Sequence, residues 1–212
     1  TTEKKVVDNK AISRVENGPL PSWNSSAASR IQQWIKATTD SGSQQFIPVR
    51  DRIAVFDNDG TLWPEQPYPN QLQFAFDQVR HLAKDHPEWL KDPVIKGVVE
   101  GDFGPLQKAG LKGAGKVVTL AHTGMSTESF TTAVNQWIDT AKDKRFNRPF
   151  REVVYQPMLE LLALLRSHEF QIFIVSGGGA DFMRPWTEDV YGIPPYHVIG
   201  SYGALTYDIK NG

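Results

Sequence analysis

The chain has 212 residues and no cysteine. That absence removes disulfides, thiol nucleophiles, cysteine-bound zinc and iron–sulfur clusters at once. Net charge is equally scarce: 23 Lys and Arg stand against 24 Asp and Glu, a formal −1, so no global field recruits nucleic acid or an anionic membrane. No apolar run approaches the roughly 20 residues that a spanning helix requires, and no basic start, apolar stretch and small-residue cleavage site opens the chain. The first residue is Thr1 rather than Met, which suits a processed, exported protein as well as a cytoplasmic one and leaves the compartment open. The histidines, His81, His86, His122, His168 and His197, lack metal spacing of the His-x-x-x-His kind. There is no internal repeat or low-complexity tract.

What is present describes a globular protein: 40% apolar, 22% charged and 11% aromatic residues. A chain of this size buries about 70% of the surface it exposes when unfolded, so a core forms without covalent staples. Residues 1–26 read as an extended arm anchored at Leu20 and Trp23. Ala27, Ile31, Trp34 and Ile35 recur on one face and predict a helix over 27–38. Ile53 to Phe56 is an unbroken apolar run that stops at Asp57-Asn58-Asp59-Gly60, the pattern of a buried parallel strand opening into a loop.

A second run, Ile172 to Val175, follows a helix carrying Met158, Leu161, Leu162 and Leu165, with Pro157 suited to its first turn. It precedes Ser176-Gly177-Gly178-Gly179 and another expected helix. Strand, helix, strand, glycine loop, helix predicts an α/β protein with a doubly wound, Rossmann-like parallel sheet. Residues 27–64 and 151–212 form this core, and 65–150 form an all-helical insertion over the carboxyl edge of the sheet. Phe74, Phe76, Val79 and Leu82 define one helix of the insertion, and Phe130, Val134, Trp137, Ile138 and Ala141 another. The five glycines of 101–115 read as a hinge or flexible loop.

Two carboxylates two residues apart, directly after a buried strand, lie where open sheets bind ligands. Asp57 can act as a nucleophile if a cation quenches the charge of an anionic group that it approaches. Asp59 can pass a proton to a leaving oxygen and take one from water. Asn, Asp and Gly also cluster in plain turns, and that reading stays open. A helix-loop-helix calcium site does not fit, because its glycine and closing Glu fall at other offsets. Ser176 and the N–H groups of Gly177 and Gly178 suit an anion at the start of the next helix, although three glycines also suit a tight connection.

Phe56-Asp57-Asn58-Asp59-Gly60-Thr61-Leu62 resembles the first motif of the haloacid dehalogenase superfamily, and Ile174-Val175-Ser176-Gly177-Gly178-Gly179 resembles its second. The Ser-Gly-Gly form and the long insertion most resemble the phosphoserine-phosphatase-like branch, and the likeness covers roughly residues 50–208. The resemblance implies a Mg²⁺-dependent phosphatase whose helical cap is the insertion and whose substrate is a small phosphorylated molecule. It implies that Asp57 attacks phosphorus to form an aspartyl-phosphate, and that Asp59 is the general acid/base. Asp57 and Asp59 also bind the metal, Asp59 through its carbonyl, and Ser176 holds a phosphoryl oxygen. A dehalogenase lacks the second acid and is disfavoured, whereas phosphotransfer to another acceptor stays open.

The resemblance then breaks off. The family's third motif is a Lys or Arg and its fourth an acidic pair. After Ser176 the chain offers only Arg184, inside an expected helix, and Lys210, at an expected hairpin tip. Asp181, Glu188, Asp189 and Asp208 show no Gly-Asp-x-x-x-Asp pattern. We therefore expect a chain that stops before its last strands and is impaired as a catalyst, or a non-catalytic ligand- or metal-binding module. Glu65 is a weaker candidate for recognising a substrate amine. Arg145, Arg148 and Arg151 read as a solvated basic face, and Trp63, Phe74, Trp137 and Trp186 as packing residues.

Overall fold

The computed structural model describes residues 20–204. Most of the expected arm, Lys210, Asp208 and the expected terminal hairpin lie outside the described residues. The chain forms two compact units, one of Thr1–Leu62 with Val154–Gly212 and one of Trp63–Val153.

The first unit is built on a parallel sheet of order β1-β4-β5, with β1 at Ile53–Phe56, β4 at Gln171–Gly179 and β5 at Val198–Ser201. Ala54 pairs with Ile172 and Phe56 with Ile174, which in turn pairs with Val198. Helix α1, Ser25–Thr39, starts at Asn24, whose side chain accepts the Ala27 N–H at 2.9 Å. Helix α6, Gln156–Ser167, has Pro157 in its first turn and buries Leu162 and Leu165. It also holds the segment before α1: the Ser22 hydroxyl donates to Glu160 Oε1 at 2.6 Å and Trp23 Nε1–H to the Pro157 carbonyl at 2.7 Å. Leu20 is buried.

The sheet departs from expectation on one side. The apolar run at 53–56 predicts burial on both faces. Ile172, Ile174 and Val198 are indeed buried, but Ile53, Val55, Val175 and Ile199 are 45–57% exposed. Among the described residues that second face is covered only in part: Phe173 stacks on His197 at 4.1 Å, while the four neighbours stay open. Polar ties hold the amino ends of β1 and β4 instead. Buried Arg52 donates through Nε to the Ile47 carbonyl at 2.9 Å and through Nη1 to the His168 carbonyl at 3.0 Å.

The second unit contains α2 at Asn70–Leu82, α3 at Pro93–Glu100, α4 at Gly104–His122 and α5 at Thr127–Thr140. It is not wholly helical: β2, Lys142–Asp143, and β3, Arg148–Pro149, form a small antiparallel hairpin. The buried Asp143 carboxylate organises its turn by accepting the N–H groups of Arg145 and Phe146 at 2.8 and 3.2 Å. Phe74 meets Phe130 and Trp137 edge-on, and Trp137 stacks on Phe150 at 4.3 Å. A neighbouring cluster joins Phe76, Val79, Ile95, Val98, Leu106 and Val117.

The glycine tract expected to be a hinge is mostly helix. Gly101 ends α3 in the left-handed conformation with φ 83°, and α4 begins three residues later. Only Gly110, with φ 58°, interrupts its helical backbone. Each glycine costs a helix about 1 kcal/mol relative to alanine. Burial of Leu106, Val117 and Ala121 against α2 and α3 outweighs that local preference.

Candidate functional site

Strand β1 ends at Phe56, and the next four residues alternate in exposure. Asp57 is exposed, Asn58 is buried at 2% exposure, Asp59 is partly buried and Gly60 is exposed. Gly60 has φ 74°, a left-handed conformation that glycine adopts without steric cost, and the chain turns there.

Asn58 is the hub of this turn. Its N–H donates to Asp57 Oδ1 at 2.8 Å, and its carbonyl accepts the N–H groups of Thr61 and Leu62 at 3.1 and 2.9 Å. Its side-chain Oδ1 accepts the Tyr191 hydroxyl at 3.2 Å, a bond between residues 133 positions apart. Tyr191 ends α8, Thr187–Tyr191, and is itself buried. Burial, reinforced by the nearby negative charge of Asp59, pushes its phenol well above the usual tyrosine range, so it remains a neutral donor.

The Ser176-Gly177-Gly178-Gly179 segment is not the expected loop. It continues β4 to Gly179, which pairs with Ser201, with a register irregularity between Val175 and Gly179. The helix that follows, α7 at Ala180–Met183, has four residues, so the sequence-based argument from a helix start loses its support. The Gly178 N–H donates to Ser176 Oγ at 3.1 Å. A hydroxyl that accepts one bond still carries its own proton, so Ser176 keeps an O–H to donate.

Phe56 pairs with Ile174, so Asp57 follows one strand end while Ser176 lies two residues beyond the paired position on the next. Adjacent parallel strands run about 4.8 Å apart. Asp57, Asp59 and Ser176 thus share the carboxyl end of one sheet. Glu65 falls in the other unit, exposed between Leu62 and α2.

The arginines that the sequence singled out have partners of their own. Arg184 caps α7 and donates through Nη2 to the Val198 carbonyl at 3.1 Å. The three arginines read as a basic face each meet a carboxylate: Arg145 with Asp143 at 3.0 Å, Arg148 with Glu152 at 3.1 Å and Arg151 with Asp139 at 2.7 Å. Among the described residues no group of three or more His, Asp or Glu side chains is placed to hold a metal. Nor is any of their helices long and apolar enough to cross a membrane. Sequence reasoning treated Asn58 only as a turn former and passed over Tyr191. Asn58 carried a signal in its place between the two acids, whereas no local pattern marks Tyr191.

Comparison with known proteins yields a family and a distant structure. The family model described as haloacid dehalogenase-like hydrolase matches residues 54–210. A crystal structure of a phosphoserine phosphohydrolase-like protein from Francisella tularensis subsp. tularensis SCHU S4 is similar at 18% identity and a TM-score of 0.36. The match covers 70% of this chain and 57% of that one, so this chain spans little more than half of its length. No curated protein matches.

Proposed function

Because the chain belongs to the haloacid dehalogenase-like hydrolases, we propose that it is a Mg²⁺-dependent phosphatase that cleaves a small phosphomonoester through an aspartyl-phosphate. What supports this above all is the parallel register of β1 and β4, in which exposed Asp57 leaves one strand and Ser176 extends the other.

The donor set bears on the metal. Two acidic residues, Asp57 and Asp59, stand close in the chain with no third acid clustered among the described residues. Mg²⁺ commonly needs only one or two carboxylates, completing its shell with water and substrate phosphate, so these residues fit a weak, substrate-completed site. Asp57 would hold the ion by its carboxylate and Asp59 by its carbonyl. When bound, the ion draws negative charge from the phosphoryl oxygens.

The chain's own residues then divide the work. A carboxylate oxygen of Asp57 forms a bond to phosphorus as the ester P–O bond breaks. The Asp59 carboxyl gives its proton to the departing oxygen. Ser176 donates its O–H to a phosphoryl oxygen, and the Gly177 N–H lies beside it, whereas the Gly178 N–H is already spent on Ser176. Water, giving its proton to the Asp59 carboxylate, attacks phosphorus, releases phosphate and restores Asp57. The inserted unit, Trp63–Val153, is the candidate cap, and its Glu65 the candidate contact for a substrate amine.

The test is phosphate release from a panel of phosphorylated metabolites with Mg²⁺, comparing the chain with Asp57→Asn. Turnover is expected to fall to background in the variant while circular dichroism stays the same. Undiminished turnover in Asp57→Asn rules the covalent mechanism out.

A further inference from the structure

We propose that Tyr191 is a positioning residue that fixes the 57–62 turn through Asn58 and so sets where both carboxylates stand. The proposal rests on the phosphatase reading for its catalytic meaning but on geometry for its substance.

Three features of Asn58 carry it. One residue gives its N–H to Asp57 Oδ1 and its carbonyl to two later amides, so its backbone orients the first carboxylate and closes the turn bearing the second. The same residue is buried, so its side chain cannot trade a lost partner for water. The partner it has, Tyr191, comes from α8 on the far side of the chain sequence.

Tyr191 is itself held from two directions. Arg166, on α6, donates through Nη2 to its carbonyl at 2.7 Å and to that of Gly192 at 3.3 Å. Trp186 meets its ring edge-on at 5.4 Å. Gly192 continues α8 into a left-handed turn with φ 67°, and a Cβ there would come within 2.8 Å of the Arg166 guanidinium. The phenol is therefore delivered by a rigid support, and groups that transfer protons or attack phosphorus depend on such preorganised placement.

Tyr191→Phe removes the hydroxyl and keeps the ring packing. Hydrogen exchange followed by mass spectrometry should show the amides of Asn58, Thr61 and Leu62 exchanging about tenfold faster. Amides of β4 and α8 should hold their wild-type rates. In the phosphatase assay kcat should fall about tenfold with KM unchanged, the split expected when placement rather than binding is lost.

Asn58→Ala removes the same bond from its other end and serves if Tyr191→Phe does not fold. The double variant should be no worse than Asn58→Ala alone. Unchanged exchange at 58–62, or acceleration spread equally over β4 and α8, overturns the proposal. If wild-type protein shows no turnover that Asp57→Asn removes, the phosphatase reading fails, and the exchange experiment still decides the role of Tyr191.

Discussion

The two faces of the one parallel sheet are built from the same kinds of residue and meet different surroundings. On one face Ile172, Ile174 and Val198 are buried; on the other Ile53, Val55, Val175 and Ile199 stand roughly half exposed. Neighbouring positions on β4 therefore do opposite things. Burial of an apolar side chain contributes about 1.5–3 kcal/mol, so the covered face supplies most of what the sheet gains from the hydrophobic effect. Among the described residues, the half-open face shows that an apolar run reports a strand without reporting how completely each side is flanked.

The comparison is broken most directly at Ile174, which is fully buried and pairs with both β1 and β5. Ile174→Ala leaves a cavity between the strands and their covering layer and should cost about 2–5 kcal/mol, read by urea denaturation. A loss under 1 kcal/mol means that the covered face is loosely packed and that the contrast between faces is false.

A second effect, smaller, tests how a sheet with one half-exposed face is held at its amino end. Arg52→Ala abandons the carbonyls of Ile47 and His168 and should cost about 1–3 kcal/mol. Its contact with Glu169, at 3.4 Å, is an ion pair whose acidic side chain is 66% exposed. Glu169→Ala should therefore cost no more than about 1 kcal/mol, and that loss should shrink in added salt. Equal losses in the two variants, both abolished by salt, would show that the ion pair rather than the buried hydrogen bonds ties the strands.

These contrasts also mark what the sequence makes legible. The runs at 53–56 and 172–175, Pro157 and the spacing of Leu162 and Leu165 announce β1, β4 and α6, because short-range pattern and burial agree there. The position of Asp57 and Asp59 at a strand end is legible for the same reason. Gly177 to Gly179 is not, because a glycine run fits strand and loop alike until Ser201 pairs with Gly179. Helix α4 is hidden behind glycines whose local cost is offset only by packing on α2 and α3. The bond from Tyr191 to Asn58 spans most of the chain, and no periodicity encodes such a meeting.

The smallest effect is expected one residue along from the largest. Val175 is 45% exposed and points away from the layer that buries Ile174. Val175→Thr keeps the β-branched shape that suits a strand and replaces a methyl with a hydroxyl that water can solvate. Stability should change by no more than about 0.5 kcal/mol, the range of ordinary surface substitutions. In a buried site the same exchange strands a polar group and costs about 1–3 kcal/mol. Measured beside Ile174→Ala in the same denaturant series, a near-silent Val175→Thr keeps the two faces distinct. A loss approaching that at Ile174 means that Val175 is covered in solution, and the asymmetry of the sheet disappears.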